Sequence, residues 1–159
     1  MFWRISRKEF GECHGEANRA AFRRLVRRGE EPGVLAYRDG APIGWCAVGP
    51  RESYPALERS RVLRRLDDEP VGSITCFYVA RGHRGGGVAE ALVRAALRFA
   101  AARGARLVEA YPTVPRKGTL PPVSSYMGTP AMFERAGFVE VARPSAAKAV
   151  LRRRVRPRR

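Results

Sequence analysis

Residues 77–89, Phe-Tyr-Val-Ala-Arg-Gly-His-Arg-Gly-Gly-Gly-Val-Ala, constrain the fold of this chain more than any other segment. An apolar strand runs into a basic, glycine-rich loop, and an amphipathic helix starts directly after it. Glycine lets backbone N–H groups approach an anion without Cβ interference, and a helix N-terminus adds partial positive charge. The segment therefore predicts a phosphate cradle at a strand–loop–helix junction.

The surrounding pattern places that cradle in a mixed sheet. The helix expected over 88–103 carries Val88, Leu92, Ala96 and Phe99 or Ala100 on one stripe, with Glu90, Arg94 and Arg98 on the opposite side. Residues 34–38 and 41–48 read as strands joined by Asp39-Gly40, a type I′ hairpin signal. Residues 1–6 read as a short first strand. Residues 16–28 read as a helix with Ala17, Ala20, Ala21, Phe22 and Leu25 inward. A short helix or turn over 52–59 and a polar connection over 61–69 lead to a long strand over 71–79. A strand over 106–111 and a proline-rich functional loop over 112–128 follow the helix. A short helix over 129–136, capped by Thr129, precedes a final antiparallel pair over 138–143 and 147–155. The fold class is α/β (α+β type): a mixed, mostly antiparallel central sheet with helices on both faces. One domain spans 1–155, and 156–159 form a basic tail.

The net charge is +16, and all but three of the 31 basic residues are arginines. Such a chain attracts polyanions, although arginine in place of lysine also reads as the imprint of a G+C-rich genome. The arginines from Arg152 onward are read as a last strand and a solvated end. Non-specific nucleic-acid binding is the alternative for them. No apolar run approaches the roughly 20 residues of a membrane span, and residues 1–4 lack a secretory h-region. Cys13, Cys46 and Cys76 have no metal-type spacing. They are read as reduced thiols in a cytoplasmic protein without a metal.

Two phosphate-binding motifs are disfavoured by the residues themselves. A P-loop needs Gly-Lys-Ser or Gly-Lys-Thr where this chain has Gly86-Gly87-Val88, and a dinucleotide fingerprint needs a third glycine where Glu90 stands. Arg84-x-x-Gly87-x-Ala89, with Val79 five residues upstream, resembles motif A of the GNAT superfamily of N-acetyltransferases. Met132-Phe133-Glu134-Arg135-Ala136-Gly137-Phe138 resembles that family's closing segment. The resemblance runs from about residue 34 to the C-terminus. Residues 44–48, 76–79 and 108–112 are similar to small bacterial members of undefined substrate.

The resemblance implies the acyl-CoA N-acyltransferase fold, with splayed parallel strands over 71–79 and 106–111, and acetyl-CoA as the donor. Backbone groups of Phe77, Tyr78 and Val79 would line the pantetheine, Phe77 and Val79 pairing with its amides as an added strand does. Amides of Arg84, Gly85, Gly86, Gly87, Val88 and Ala89 would hold the pyrophosphate. The acetyl group would pass directly to an amine. A small molecule is the default acceptor and a protein N-terminus or lysine the alternative; a homodimer is kept open.

Glu109, in an otherwise apolar strand beside the gap, is the first candidate base, because desolvation would raise its pKa. An ion pair with an arginine is its alternative. Asp67, Asp68, Glu52 and Glu58 are further candidates. Where the family usually has a tyrosine acid this chain has Phe133, which has no proton to give. Tyr126 and Tyr111 are the candidate donors, with solvent as the alternative. Cys76 reads as core, and His14 and His83 as poor bases. Arg51, Arg59 and Arg61 would favour an acidic group on the acceptor. Two other functions are kept open: a non-catalytic acyl-CoA-binding regulator and a basic nucleic-acid-binding protein.

Overall fold

The computed structural model describes residues 2–12, 15–115 and 122–157. The chain order is α1 (Arg7–Glu12), α2 (Glu16–Arg27), β1 (Gly33–Arg38), β2 (Ala41–Pro50), a 3₁₀ turn (Arg51–Ser53), α3 (Pro55–Glu58) and β3 (Gly72–Val79). A 3₁₀ turn (Arg81–His83), α4 (Val88–Ala102), β4 (Leu107–Ala110), a 3₁₀ turn (Pro122–Met127), α5 (Pro130–Glu134), β5 (Val139–Ser145) and β6 (Lys148–Arg154) complete it. One six-stranded sheet has the order β1-β2-β3-β4-β6-β5. Among the described residues only β3 and β4 pair in parallel; the other four strand pairings are antiparallel.

The β1–β2 hairpin turns on Asp39 and Gly40, both at positive φ (48° and 76°), as a type I′ turn requires. Helix α4 lays Val88, Leu92, Val93, Ala96, Leu97 and Ala100 on one sheet face, in a core with Cys46, Val48, Ile74 and Val108. Gly44 permits that approach. A Cβ there would stand 3.1 Å from Leu92 Cδ1 and Val88 Cγ1 and 3.2 Å from the Tyr78 carbonyl. On the other face a second core joins Tyr54, Leu57, Leu63, Tyr111, Met127 and Val150.

Three local expectations differ from the structure. Residues 2–5 form turns, and Ser6 opens a helix. Ser6 N–H donates to Glu9 Oε2 (2.8 Å) and Glu9 N–H to Ser6 Oγ (3.1 Å), a capping box that outweighs the strand propensity of the first residues. In α2, Ala21, Phe22 and Leu25 are half-buried while Ala17 and Ala20 face solvent; Phe22 meets Trp45 edge-on at 5.6 Å. Thr129 precedes α5 but makes no side-chain cap; its carbonyl instead accepts from the Met132 and Phe133 N–H groups. Cys13 and His14 lie outside the described residues, as do the tail residues Arg158 and Arg159. Arg152–Arg154 belong to β6.

Candidate active site

The β3–β4 pairing is short. Gly72, Ser73 and Ile74 face Val108, Glu109 and Ala110, and there the parallel ladder stops. At that level Thr75 is a bulged residue in the β2–β3 ladder, between the pairs Ile74–Val48 and Cys76–Ala47. A bulge bends its strand and raises local twist. Beyond it β3 continues to Val79 with β2 on one side and no β4 partner on the other. On the β4 side, Thr113 N–H donates to the Gly128 carbonyl (3.2 Å), which brings the turn ending at Met127 against the continuation of β4. The two parallel strands therefore splay.

The opening is a cleft of about 750 Å³. Phe77, Tyr78, Val79, Arg84, Gly85, Gly87, Val88, Ala89 and Tyr126 all line it, with His83, Glu90, Ser125, Gly128, Thr129, Met132 and Arg135. Gly86 lies in the same loop. Gly85 and Gly87 have φ of +77° and +76°, where a side chain would be strained, and a Cβ on either would meet nothing within 4 Å. Gly87 is the N-cap of α4 and supplies no side-chain cap. The first-turn N–H groups of a helix have no intrahelical partners, so they are available to an anion at this end of the cleft. Arg84 Nε donates to the Val79 carbonyl (3.0 Å), tying the loop to the end of β3. That bond occupies one lone pair of a carbonyl expected to face the donor and leaves the other. Glu90 and Arg135 bridge α4 to the residue after α5, with Nη2 2.5 Å from Oε1.

Phe133 is fully buried, 5.9 Å from the Phe77 ring and 5.2 Å from Phe138. The aromatic ring in the family's usual tyrosine place is thus a core residue here. Tyr126, seven residues earlier, lines the cleft.

Glu109 does not line the cleft. It is 1% exposed on the sheet face opposite α4. Its Oε2 accepts from Tyr111 Oη (2.7 Å) and Arg51 Nη1 (3.2 Å), and its Oε1 from Arg152 Nε (2.7 Å). The geometry around Glu109 is that of the ion-pair alternative: two arginines and a tyrosine hold its carboxyl. Arg51, also 1% exposed, donates further to Glu58 Oε1 (2.6 Å), Tyr111 Oη (2.9 Å) and the Leu63 carbonyl (2.7 Å). It is therefore consumed inside the protein and does not face an acceptor. Arg152 also binds Asp67 bidentately (2.5 and 2.9 Å), and that contact holds the Asp67 carboxyl below its usual pKa. Burial alone would raise Glu58; the bonds from Arg65 and Arg51 outweigh it and lower the carboxyl. A hydrogen bond from Arg65 likewise lowers Glu52. Burial pushes the Tyr111 hydroxyl well above its ordinary value, and the neighbouring Glu109 charge pushes it the same way. No sequence signal marked Arg51 as buried, because only the register of distant strands brings these charges together.

Among the described residues no cluster of His, Cys, Asp and Glu could hold a metal, and no helix is long and apolar enough to cross a membrane. The parallel strands that part beside a glycine loop and a helix N-terminus are the architecture of an acyl-CoA N-acyltransferase. The Acetyltransferase (GNAT) family profile matches residues 1–120. The ribosomal-protein-alanine N-acetyltransferase from Brucella melitensis superposes with TM-score 0.54 at 19% identity, covering 88% of this chain and 78% of that one. An N-acetyltransferase from Staphylococcus aureus Mu50 does so at TM-score 0.55 and 17% identity, over 87% and 76% of the two chains. A NatC complex bound to Gag peptide and CoA gives 0.52 and 15%, over 86% and 79%. At these identities the three structures share the fold with this chain. No curated protein sequence matches it. The chain belongs to the acetyltransferase (GNAT) family. Its reaction is the acetyl-CoA-dependent acetylation of an amine.

Proposed function

We propose that the cleft between β3 and the Tyr126 turn takes acetyl-CoA, and that the acceptor is a small-molecule amine. The observation that carries this is the run Thr75–Val79, without a strand partner on its β4 side, which ends at the glycine loop and the α4 N-terminus. Main-chain groups of Phe77 and Val79, which have no β4 partner, suit the pantetheine amides, and the amides from Arg84 to Ala89 suit the pyrophosphate. The acceptor enters from the sheet face opposite α4, walled by α2, the 59–70 connection and the turn before Met127. The amine attacks the thioester carbonyl, the C–N bond forms as the C–S bond breaks, and the amine gives up one proton while the leaving thiolate takes one up.

We assign to Tyr126, a residue of the cleft wall, the relay of that proton: its hydroxyl gives one to the thiolate and is reprotonated by the one the amine releases. Glu109 acts as a positioning residue: it holds Arg51, Arg152 and Tyr111, and through them the 59–70 connection. Cys46 and Cys76, both free thiols, suit a cytoplasmic enzyme drawing on the acetyl-CoA pool. The tail arginines favour nucleic acid less than their number suggests. Arg152 is committed to Glu109 and Asp67, Arg153 to the Ala136 carbonyl, and Arg154 stands 3.6 Å from Glu69.

The test is thiol release from acetyl-CoA across a panel of small amines, with product masses. Amine-dependent release supports the reading. Binding of acetyl-CoA without release by any amine or peptide amine would favour a non-catalytic acyl-CoA sensor.

A further inference from the structure

Lys148 is one of three lysines in a chain otherwise furnished with arginine. It opens β6 and bridges to Thr113 on the continuation of β4. Leu151 pairs with Ala110, where the β3–β4 ladder ends. Lys148 therefore stands three residues, about 10 Å, further toward the widening side. Its Nζ donates to Thr113 Oγ1 (2.9 Å) and Met127 Sδ (3.0 Å). Met127 lies between Tyr126 and Gly128, two residues of the cleft wall.

Among the described residues no carboxylate pairs with this half-buried ammonium. The acidic groups of the same sheet face are engaged elsewhere: Glu109 with Arg51 and Arg152, Glu58 with Arg51 and Arg65, Asp67 with Arg152. Burial lowers its pKa. Residues 116–124, which follow this strand in the chain, contain no Asp or Glu and add Arg116 and Lys117. A half-buried cation without a counter-charge carries a desolvation cost that an incoming anion relieves.

We propose that Lys148 recognises the acceptor, and that the acceptor is a small amine bearing an anionic group, a carboxylate or a phosphate. This rests on the reading that a small amine reaches the cleft from the face opposite α4. Thr113 and Met127 fix the ammonium, so it presents its remaining N–H to the anion while the amine of the same molecule reaches the thioester. A charge-assisted bond of this kind is worth about tenfold or more in selectivity.

The experiment measures kcat/KM by thiol release for matched acceptors: amino acids against their amides, and aminoalkyl phosphates against aminoalcohols. The two pairs separate carboxylate from phosphate. Wild type is expected to favour the acidic member of one pair at least tenfold. Lys148→Met should collapse that ratio through the KM of the acidic acceptor, and Lys148→Arg should retain most of it. Thr113→Val, which leaves the lysine but removes one anchor, should reduce the ratio in part. Equal use of both members by wild type, or an equal loss for both in Lys148→Met, overturns the proposal. So does the absence of release with every acidic amine. In that case calorimetric binding of acetyl-CoA decides how far the failure reaches: if binding persists, only the acceptor assignment falls, and if it is absent, the cleft assignment falls too.

Discussion

Arg51 and Glu109, 58 positions apart, form an ion pair in which both side chains are almost wholly removed from solvent. Removing one partner of such a pair leaves the other charge buried and uncompensated, which costs about 3–5 kcal/mol. The pair binds the turn after β2 to β4, and Arg152 binds the same carboxylate to β6.

Glu109→Gln therefore lowers stability by about 3 kcal/mol, read as a fall in the denaturation midpoint. Its effect on turnover separates two roles. Loss of a general base costs about 10²–10⁴-fold in kcat. A positioning anion costs less than about tenfold while the protein stays folded, with the pH profile of kcat unmoved.

Tyr126→Phe removes the hydroxyl of a cleft-lining residue without changing the ring. Turnover should fall about tenfold or more, with the KM for acetyl-CoA little changed. The loss should shrink when the donor carries a thiol of lower pKa, since a better leaving group needs no proton. An unchanged kcat with acetyl-CoA would leave the thiolate to solvent.

Gly128→Ala disturbs the cleft wall from behind. Gly128 has φ +78°, and an added Cβ would stand 2.8 Å from Phe133 Cε2 and closer still to Met132 Cε. Strain at positive φ costs about 1–2 kcal/mol and overpacking about 1–3 more. Thermal melting should show the loss, and acetyl-CoA affinity should fall with it.

Stability should decline in alkali. Burial raises the Tyr54 hydroxyl from 10.0 to about 12, against a partial lowering by Arg4, and Tyr111 is raised in the same direction. Above pH 10 the unfolded chain releases these protons while the folded chain keeps them. The stabilisation from Tyr54 is thus complete below pH 10 and lost as pH rises through about 12, and that from Tyr111 is lost at higher pH still. Asp67, Glu52 and Glu58 work oppositely: lowered in the fold, they stabilise above the usual carboxylate range and cease to as pH falls through it. Denaturant midpoints across pH should show decline at both ends.

The elements that position the cleft were legible because local chemistry writes them. Asp39-Gly40 dictates its turn, the Val88–Ala100 stripe its helix, and Gly85 and Gly87 their positive φ. The N-terminal helix was legible in principle, since Ser6-Arg7-Lys8-Glu9 spells a capping box, but the apolar Phe2 and Trp3 suggested a strand. Glu109 shows where sequence reasoning ends. Its place in an apolar strand was plain, yet its partners Arg51 and Arg152 lie 58 and 43 positions away. Lys148 is similar: its isolation from carboxylates follows from strand register, not from its neighbours in the chain.

The central claim is that the glycine loop and the end of β3 that lacks a β4 partner bind acetyl-CoA. Isothermal titration at moderate salt tests it most directly, with wild type and Gly87→Glu, and with circular dichroism to verify the variant's fold. The account predicts saturable one-site binding by wild type and its loss in Gly87→Glu, because a side chain is strained at φ +76° and an anionic one repels the pyrophosphate. No binding, or binding that fades with salt and is indifferent to the substitution, would contradict it.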